Sequence, residues 1–243
     1  MTYCVGLKLD AGLVFMSDTR TNAGVDNVSK FRKLFTWEKK AERVITIMTA
    51  GNLATTQAVI SLLEERLKAP ADRAPSIMEA PTMFQVATIV GRTLRECVAE
   101  QAGDGPTSES PFGATLIVGG QIAGQKMCLF MVYPEGNFVE ASDETPFFQI
   151  GETKYGRPIL VRAFDKAMRM ESAIKLLLLS FDSTLKANLS VGMPLDLHAY
   201  RADSLELGVQ RRVEEDDAWY AQLSRDWGDA LRSAFDGLPD YTL

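Results

Sequence analysis

Apolar residues in the first fifty positions come in short runs separated by turn formers. Residues 3–9 and 13–17 are two such runs around Asp10-Ala11-Gly12, which predicts a β-hairpin. Residues 19–29 are polar, include Gly24 and predict a loop. The runs 31–37 and 43–49 flank the charged stretch 38–42 and predict two further strands. At Gly51 the period changes. Leu53, Val59, Ile60, Leu63 and Leu67 share a helical face over 53–68, and Phe84, Val86, Ile89, Val90, Leu94 and Val98 share one over 82–100. Between these helices, 69–81 carries three prolines and reads as a connector, and 102–111 reads as a surface loop.

Strand patterns return at 114–118, 127–133 and 138–140, the last two joined by the turn Pro134-Glu135-Gly136-Asn137. Another precedes Gly151, and helical patterns follow at 154–170 and 171–187. Residues 195–200 and 205–211 read as strands. The amphipathic tail 214–236 opens on Glu214-Glu215-Asp216-Asp217, acidic residues that suit a first helical turn. Two helix pairs separated by blocks of strands predict an α/β (α+β) four-layer αββα sandwich, with the two sheets face to face and the helices outside. Residues 1–212 form the expected domain and 213–243 its helical extension.

Composition narrows the chemistry. Hydrophobic residues make up 46% and charged residues 24%, the profile of a soluble globular chain. The net charge of −6 argues against nucleic acid as a partner. Cys4, Cys97 and Cys128 form no Cys-x-x-Cys pair and suit reduced, packed thiols in a cytoplasm. The single histidine, His198, rules out a His-paired zinc site and reads as a strand-surface or satisfied core residue. No signal-peptide pattern is expected at the start, and the most apolar run, 176–179, is far too short to span a bilayer. A soluble, cytoplasmic protein is expected. No Gly-x-x-x-x-Gly-Lys-[Ser/Thr] pattern is present, so the chain has no P-loop with which to unfold proteins using ATP, and no ATPase partner is identified.

Five features carry the chemistry together. Thr2 follows Met1, and a small second residue favours removal of the methionine. A threonine with a free α-amine holds nucleophile and base in one residue, since that amine has a pKa of about 8. The others are Ser17-Asp18-Thr19-Arg20-Thr21 at a strand end, Ser29-Lys30-Phe31-Arg32-Lys33-Leu34-Phe35 at a strand start, and the strand-to-helix corners Thr49-Ala50-Gly51 and Ile150-Gly151-Glu152-Thr153.

From Thr2 to about residue 210 this constellation resembles the proteasome β-subunit superfamily, which includes the bacterial heat-shock-locus protease subunit. The segments 150–160 and 180–184, with Asn188-Leu189-Ser190-Val191-Gly192, look like the bacterial proteasome homologues called Anbu, which carry a C-terminal extension. The resemblance implies two antiparallel sheets in an N-terminal-nucleophile (Ntn) hydrolase fold, with Thr2 at a sheet edge in a cleft between them. It implies a threonine peptidase or amide hydrolase that uses no cofactor and no metal. Its partners would be copies of itself, in a large ring or helix, and a peptide or amide substrate.

The implied roles follow. Thr2 Oγ attacks, Asp18 holds a lysine charged, the lysine eases deprotonation of Thr2, and the Gly51 N–H forms the oxyanion hole. Strand alternation separates Lys30 and Arg32 from Lys33, and the register favours Lys30 as the catalytic lysine, with Lys33 the alternative. Gly151, Glu152, Asn188 and Ser190 support the site. Here the chain departs from the family pattern. Glu152 stands where a serine is usual, and the Asp of an Asp-x-x-Ser falls near Ala187 or Asn188, while Ser190 matches the serine. Two rival readings stay open: a weakly active or inactive proteasome-fold assembly protein, and a specialised amidase acting on amino-acid conjugates.

Overall fold

The computed structural model describes residues 2–22, 28–68, 75–102 and 111–242. Gly24, residues 69–74 of the connector at 69–81 and most of the loop at 102–111 lie outside the described residues.

Two five-stranded sheets carry the fold. The first orders β10 (Phe147–Gly151), β1 (Tyr3–Leu9), β2 (Gly12–Asp18), β11 (Leu195–Arg201) and β12 (Val209–Val213). The second orders β5 (Leu34–Lys39), β6 (Arg43–Gly51), β7 (Ala114–Ile122), β8 (Cys128–Val132) and β9 (Phe138–Glu140). All their pairings are antiparallel. A two-stranded ribbon, β3 (Arg20–Asn22) with β4 (Val28–Lys30), occupies the stretch expected to be loop.

Alternation along the strands builds three apolar layers. On β6, Ile45 and Ile47 face α1 (Leu53–Lys68) and α2 (Met83–Ala102), joined by Val59, Leu63, Val86 and Val90. On β1 and β2, Val5, Leu7, Val14 and Met16 face α4 (Met170–Ala187) through Leu177 and Phe181. Between the sheets, Cys4, Leu13 and Phe15 meet Val44, Met48 and Ile117. This is the expected αββα sandwich.

Three expectations shift. The helix read over 154–170 is only α3 (Arg157–Ala163), which has a proline in its first turn and is followed by a turn before α4. The last strand of the first sheet runs from Val209, not from 205. The tail helix α5 is Ala218–Asp236, so the acidic stretch precedes it. Asp217 instead caps it, its carboxylate accepting the Tyr220 N–H at 2.9 Å. The apolar residues of α5 and of the segment after it divide. Tyr220 and Leu223 pack against the α4 core, helped by Lys186 Nζ, which donates to Ser224 Oγ at 3.0 Å. Leu231, Phe235, Leu238 and Tyr241 stay exposed.

His198 is a satisfied core residue between the sheets. Its Nε2–H donates to the Leu207 carbonyl, which can only accept. Nδ1 therefore accepts from Thr46 Oγ1 at 2.8 Å, and the ring is neutral. Burial pushes its pKa below the ordinary 6.5. Below about pH 6.5 the unfolded chain takes up a proton that the folded chain refuses, so this contribution to stability is full above that pH and declines below it. Thermal melts from about pH 7.5 to about pH 5.5 should show the midpoint falling, and His198→Gln should flatten that slope. A wild-type slope unchanged by the substitution would assign the effect elsewhere.

Candidate active site

The site lies where the ends of β1, β2 and β6 meet the start of β5. Asp18 closes β2 and is fully buried. Its Oδ1 accepts the Tyr3 N–H at 3.0 Å and Lys33 Nζ at 2.7 Å, and its Oδ2 accepts the Gly192 N–H at 3.3 Å. Burial pushes the Asp18 carboxyl above the usual carboxylate range, while the Lys33 ammonium beside it and the two backbone N–H groups pull the other way. Lys33 is 4% exposed, and its Nζ also donates to the Arg20 carbonyl at 2.5 Å. Thr19 fixes this corner, its Oγ1 donating to the Pro194 carbonyl at 2.8 Å and its own carbonyl accepting the Phe31 N–H at 2.8 Å.

Thr2 precedes Tyr3 and is half-buried. Its carbonyl accepts the Glu152 N–H at 2.6 Å. Gly151 has φ +81°, and a Cβ there would stand 2.0 Å from the Thr2 carbonyl oxygen, so this approach requires glycine. Glu152 is buried. Its Oε1 accepts the Lys154 N–H and its Oε2 accepts Asn188 Nδ2, both at 2.7 Å. Asn188 Oδ1 in turn accepts the Ser190 N–H at 2.9 Å. Gly151, Glu152, Asn188 and Ser190 thus form one connected support that ends on the backbone of Thr2.

Gly51 ends β6. Two residues earlier, the Thr49 N–H donates to the Lys33 carbonyl at 3.0 Å, so Thr49 directs its backbone polar groups toward the β5 side. By alternation Gly51 does the same, one step beyond the start of β5, and its N–H faces the cleft and not β7. Its φ is +117°, and a Cβ would lie 2.5 Å from the Gly113 carbonyl oxygen. Thr2, Lys33, Thr49, Gly51 and Gly151 all line one cleft of about 410 Å³.

The proteasome subunit family model matches residues 2–196. This chain belongs to the proteasome subunit family, among its Anbu members. Anbu from Yersinia bercovieri, described as an ancestral beta-subunit, is 43% identical over 99% of both chains, with a TM-score of 0.93. A Gly-1 mutant of Anbu from Hyphomicrobium sp. strain MC1 is 47% identical over 100% of both chains, with a TM-score of 0.92. The Anbu complex of Pseudomonas aeruginosa, solved as a helical assembly, is 45% identical over 99% of this chain and 98% of its own, with a TM-score of 0.92. No curated protein matches.

Against this proteasome-type frame, the structure gathers Thr2, Asp18, Gly51 and the four supporting residues, and one expectation fails. Lys30, favoured as the site lysine, is exposed and pairs with exposed Glu215 at 2.8 Å, while Lys33 takes the place beside Asp18. Alternation misled because β4 ends at Lys30 and residues 31–33 follow no strand geometry, so side-chain parity is not carried across them. The sequence reading also missed the N–H groups of Tyr3 and Gly192 and the Arg20 carbonyl. Each acts through its backbone, and no side-chain type announces it.

Removing Asp18 strands a buried ammonium. Asp18→Ala should cost about 3–5 kcal/mol in urea unfolding. Lys30→Ala, at an exposed pair, should leave the midpoint close to wild type. Similar losses for both variants would contradict the assignment of Lys33.

Proposed function

We propose that this chain is an amide hydrolase of the proteasome type, with Thr2 as an N-terminal nucleophile. The buried Lys33–Asp18 pair beside Thr2 carries the reading. Burying two charges costs several kcal/mol per ion unless they are paired, and replacing such a pair with apolar packing is often neutral or stabilising. A pair of this kind lining a cleft next to a hydroxyl points to electrostatic tuning of that hydroxyl.

In the proposed reaction Met1, outside the described residues, has been removed. Thr2 Oγ loses its proton to the α-amine of the same residue and bonds to the substrate carbonyl carbon. The Lys33 ammonium lowers the cost of that deprotonation. The Gly51 N–H receives the developing oxyanion. The C–N bond breaks, the amine leaves with the proton, and water then hydrolyses the Thr2 ester. Lys33 replaces Lys30 in this scheme. The specialised amidase shares every one of these steps. A proteasome-fold assembly protein without turnover is the other reading, and Glu152 and Asn188, the departures from the family pattern, are what favour it.

Self-assembly is part of the proposal. A relative forms a helical assembly, and the exposed apolar end of α5, with Phe235 76% and Leu238 68% exposed, offers a contact that the chain does not cover itself. The reduced thiols of a cytoplasmic protein fit the three free cysteines.

Turnover of a peptide-amide library by the Met1-processed protein should vanish in Thr2→Ala and in Lys33→Ala and persist in Lys30→Ala. Undiminished turnover in Thr2→Ala would sink the nucleophile assignment. Light scattering should give a large oligomer for the wild type and smaller species for Phe235→Asp/Leu238→Asp with melting unchanged. A wild-type monomer would refute self-assembly, and an unchanged oligomer in the double variant would move the interface away from α5.

A further inference from the structure

The cleft at Thr2 has an unusual charge balance for this chain. The protein carries a net charge of −6, yet among the described residues the charged side chains lining the cleft are Arg32 and Lys33, both cations. Lys33 is neutralised by Asp18 directly behind it. Arg32 is exposed and makes no ion pair or hydrogen bond with any of the described residues, so toward them its guanidinium keeps all five donors.

Arg32 also lines an adjoining cleft of about 340 Å³, with Asp196, Arg211 and Arg212. The carboxylate there is already taken. Arg212 forks onto Asp196 at 2.7 and 2.9 Å, and Arg211 pairs with Asp217 at 2.6 Å. Arg32 therefore stands at the join of two clefts as the one lining cation with no partner among the described residues. Around it the described wall of the reactive cleft is otherwise uncharged, with Thr21, Thr49, Asn52, Thr56 and Gln57 alongside apolar Phe35, Ala50 and Leu53.

We propose that Arg32 is a specificity-determining residue, and that the cleft takes substrates with a carboxylate close to the scissile amide, such as an acidic residue beside that bond. A guanidinium recognises a carboxylate through two parallel N–H···O bonds, a geometry that a neutral amide side chain cannot match in strength. No carboxylate among the described lining residues repels the incoming anion, while the negative charge elsewhere on the surface disfavours its binding outside the cleft. The inference takes its reacting atoms from the hydrolase reading above, but anion binding can be measured without turnover.

Two pairs of short capped peptides test it. In each pair the members differ only in Glu or Gln beside the scissile amide, on the acyl side in one pair and on the leaving side in the other. Calorimetric titration into Thr2→Ala, which cannot turn them over, should show one Glu member binding about fivefold tighter than its Gln twin, the reach of a single partly exposed ion pair. Added salt should narrow the gap, and Arg32→Gln should erase it. No preference for Glu in either pair, absence of binding included, overturns the proposal, as does a preference that survives Arg32→Gln. Kinetics on the wild type separate the two readings. A Glu preference in binding without cleavage of any of the peptides defeats the hydrolase and leaves the anion site standing. Cleavage without that preference does the reverse.

Discussion

The ion pair between Lys33 and Asp18 is the constraint on which the rest of the site hangs. Asp18 is fully buried and Lys33 only 4% exposed, so most of their lone pairs and protons need a partner inside the protein. Those partners come from four separate segments: the Tyr3 N–H at the head of β1, the Gly192 N–H just before β11, the Arg20 carbonyl in β3, and the lysine itself at the entrance to β5. The pair also crosses between sheets. Asp18 ends a strand of the first sheet and Lys33 leads into a strand of the second. Slippage of one sheet over the other would break it, so the register of the sandwich and the geometry around Thr2 are set by the same contact. The apolar layer between the sheets, with Phe15 and Met48 fully buried, holds that register without any polar signal of its own.

Glycine supplies the other half of the arrangement. Gly51 and Gly151 sit at corresponding places, each at the end of a strand and on either side of the cleft, and both have positive φ. At Gly151 the absent Cβ lets the Thr2 carbonyl approach the chain. At Gly51 it lets the backbone pass Gly113 and Ala114 while its N–H faces the cleft. Neither role can be filled by a side chain, so the walls of the cleft are fixed by backbone conformation.

The parts of this picture that could be read from the sequence are those written in side-chain type and period. The switch from short apolar runs to helical spacing at Gly51 located the layers. A threonine at a strand start, an aspartate at a strand end and two glycines at strand-to-helix corners located most of the site. The lysine was misplaced because its assignment rested on parity, and parity holds only along an unbroken strand. Residues 31–33 turn out of β4 before β5 begins. The acidic stretch before α5 was misread for a related reason: its sequence suits either a first turn or a cap, and only the backbone at Asp217 distinguishes the two. The shortness of α3 was hidden because Lys166 and Ala167 form a turn while the apolar spacing runs on through Met168 and Met170.

The two departures from the family pattern can be understood as one change. Proteasome subunits place a serine after the glycine of this corner and an aspartate in the segment preceding the matched serine. This chain has Glu152 at the first place, Ala187 or Asn188 falls at the second, and the side chains of Glu152 and Asn188 meet at 2.7 Å. Had Glu152 arisen beside an aspartate, two carboxylates would face each other at hydrogen-bond distance, and one of them would have to hold a proton at neutral pH. With asparagine opposite, the contact becomes an N–H donor on a carboxylate, and the second amide atom is free to accept from Ser190. The contact therefore holds a single acid, Glu152, with an amide opposite it. The acid now belongs to the residue whose own N–H holds the Thr2 carbonyl. The position of Thr2 is thus tied, through the Glu152 N–H, to a residue whose buried carboxylate is satisfied by Asn188.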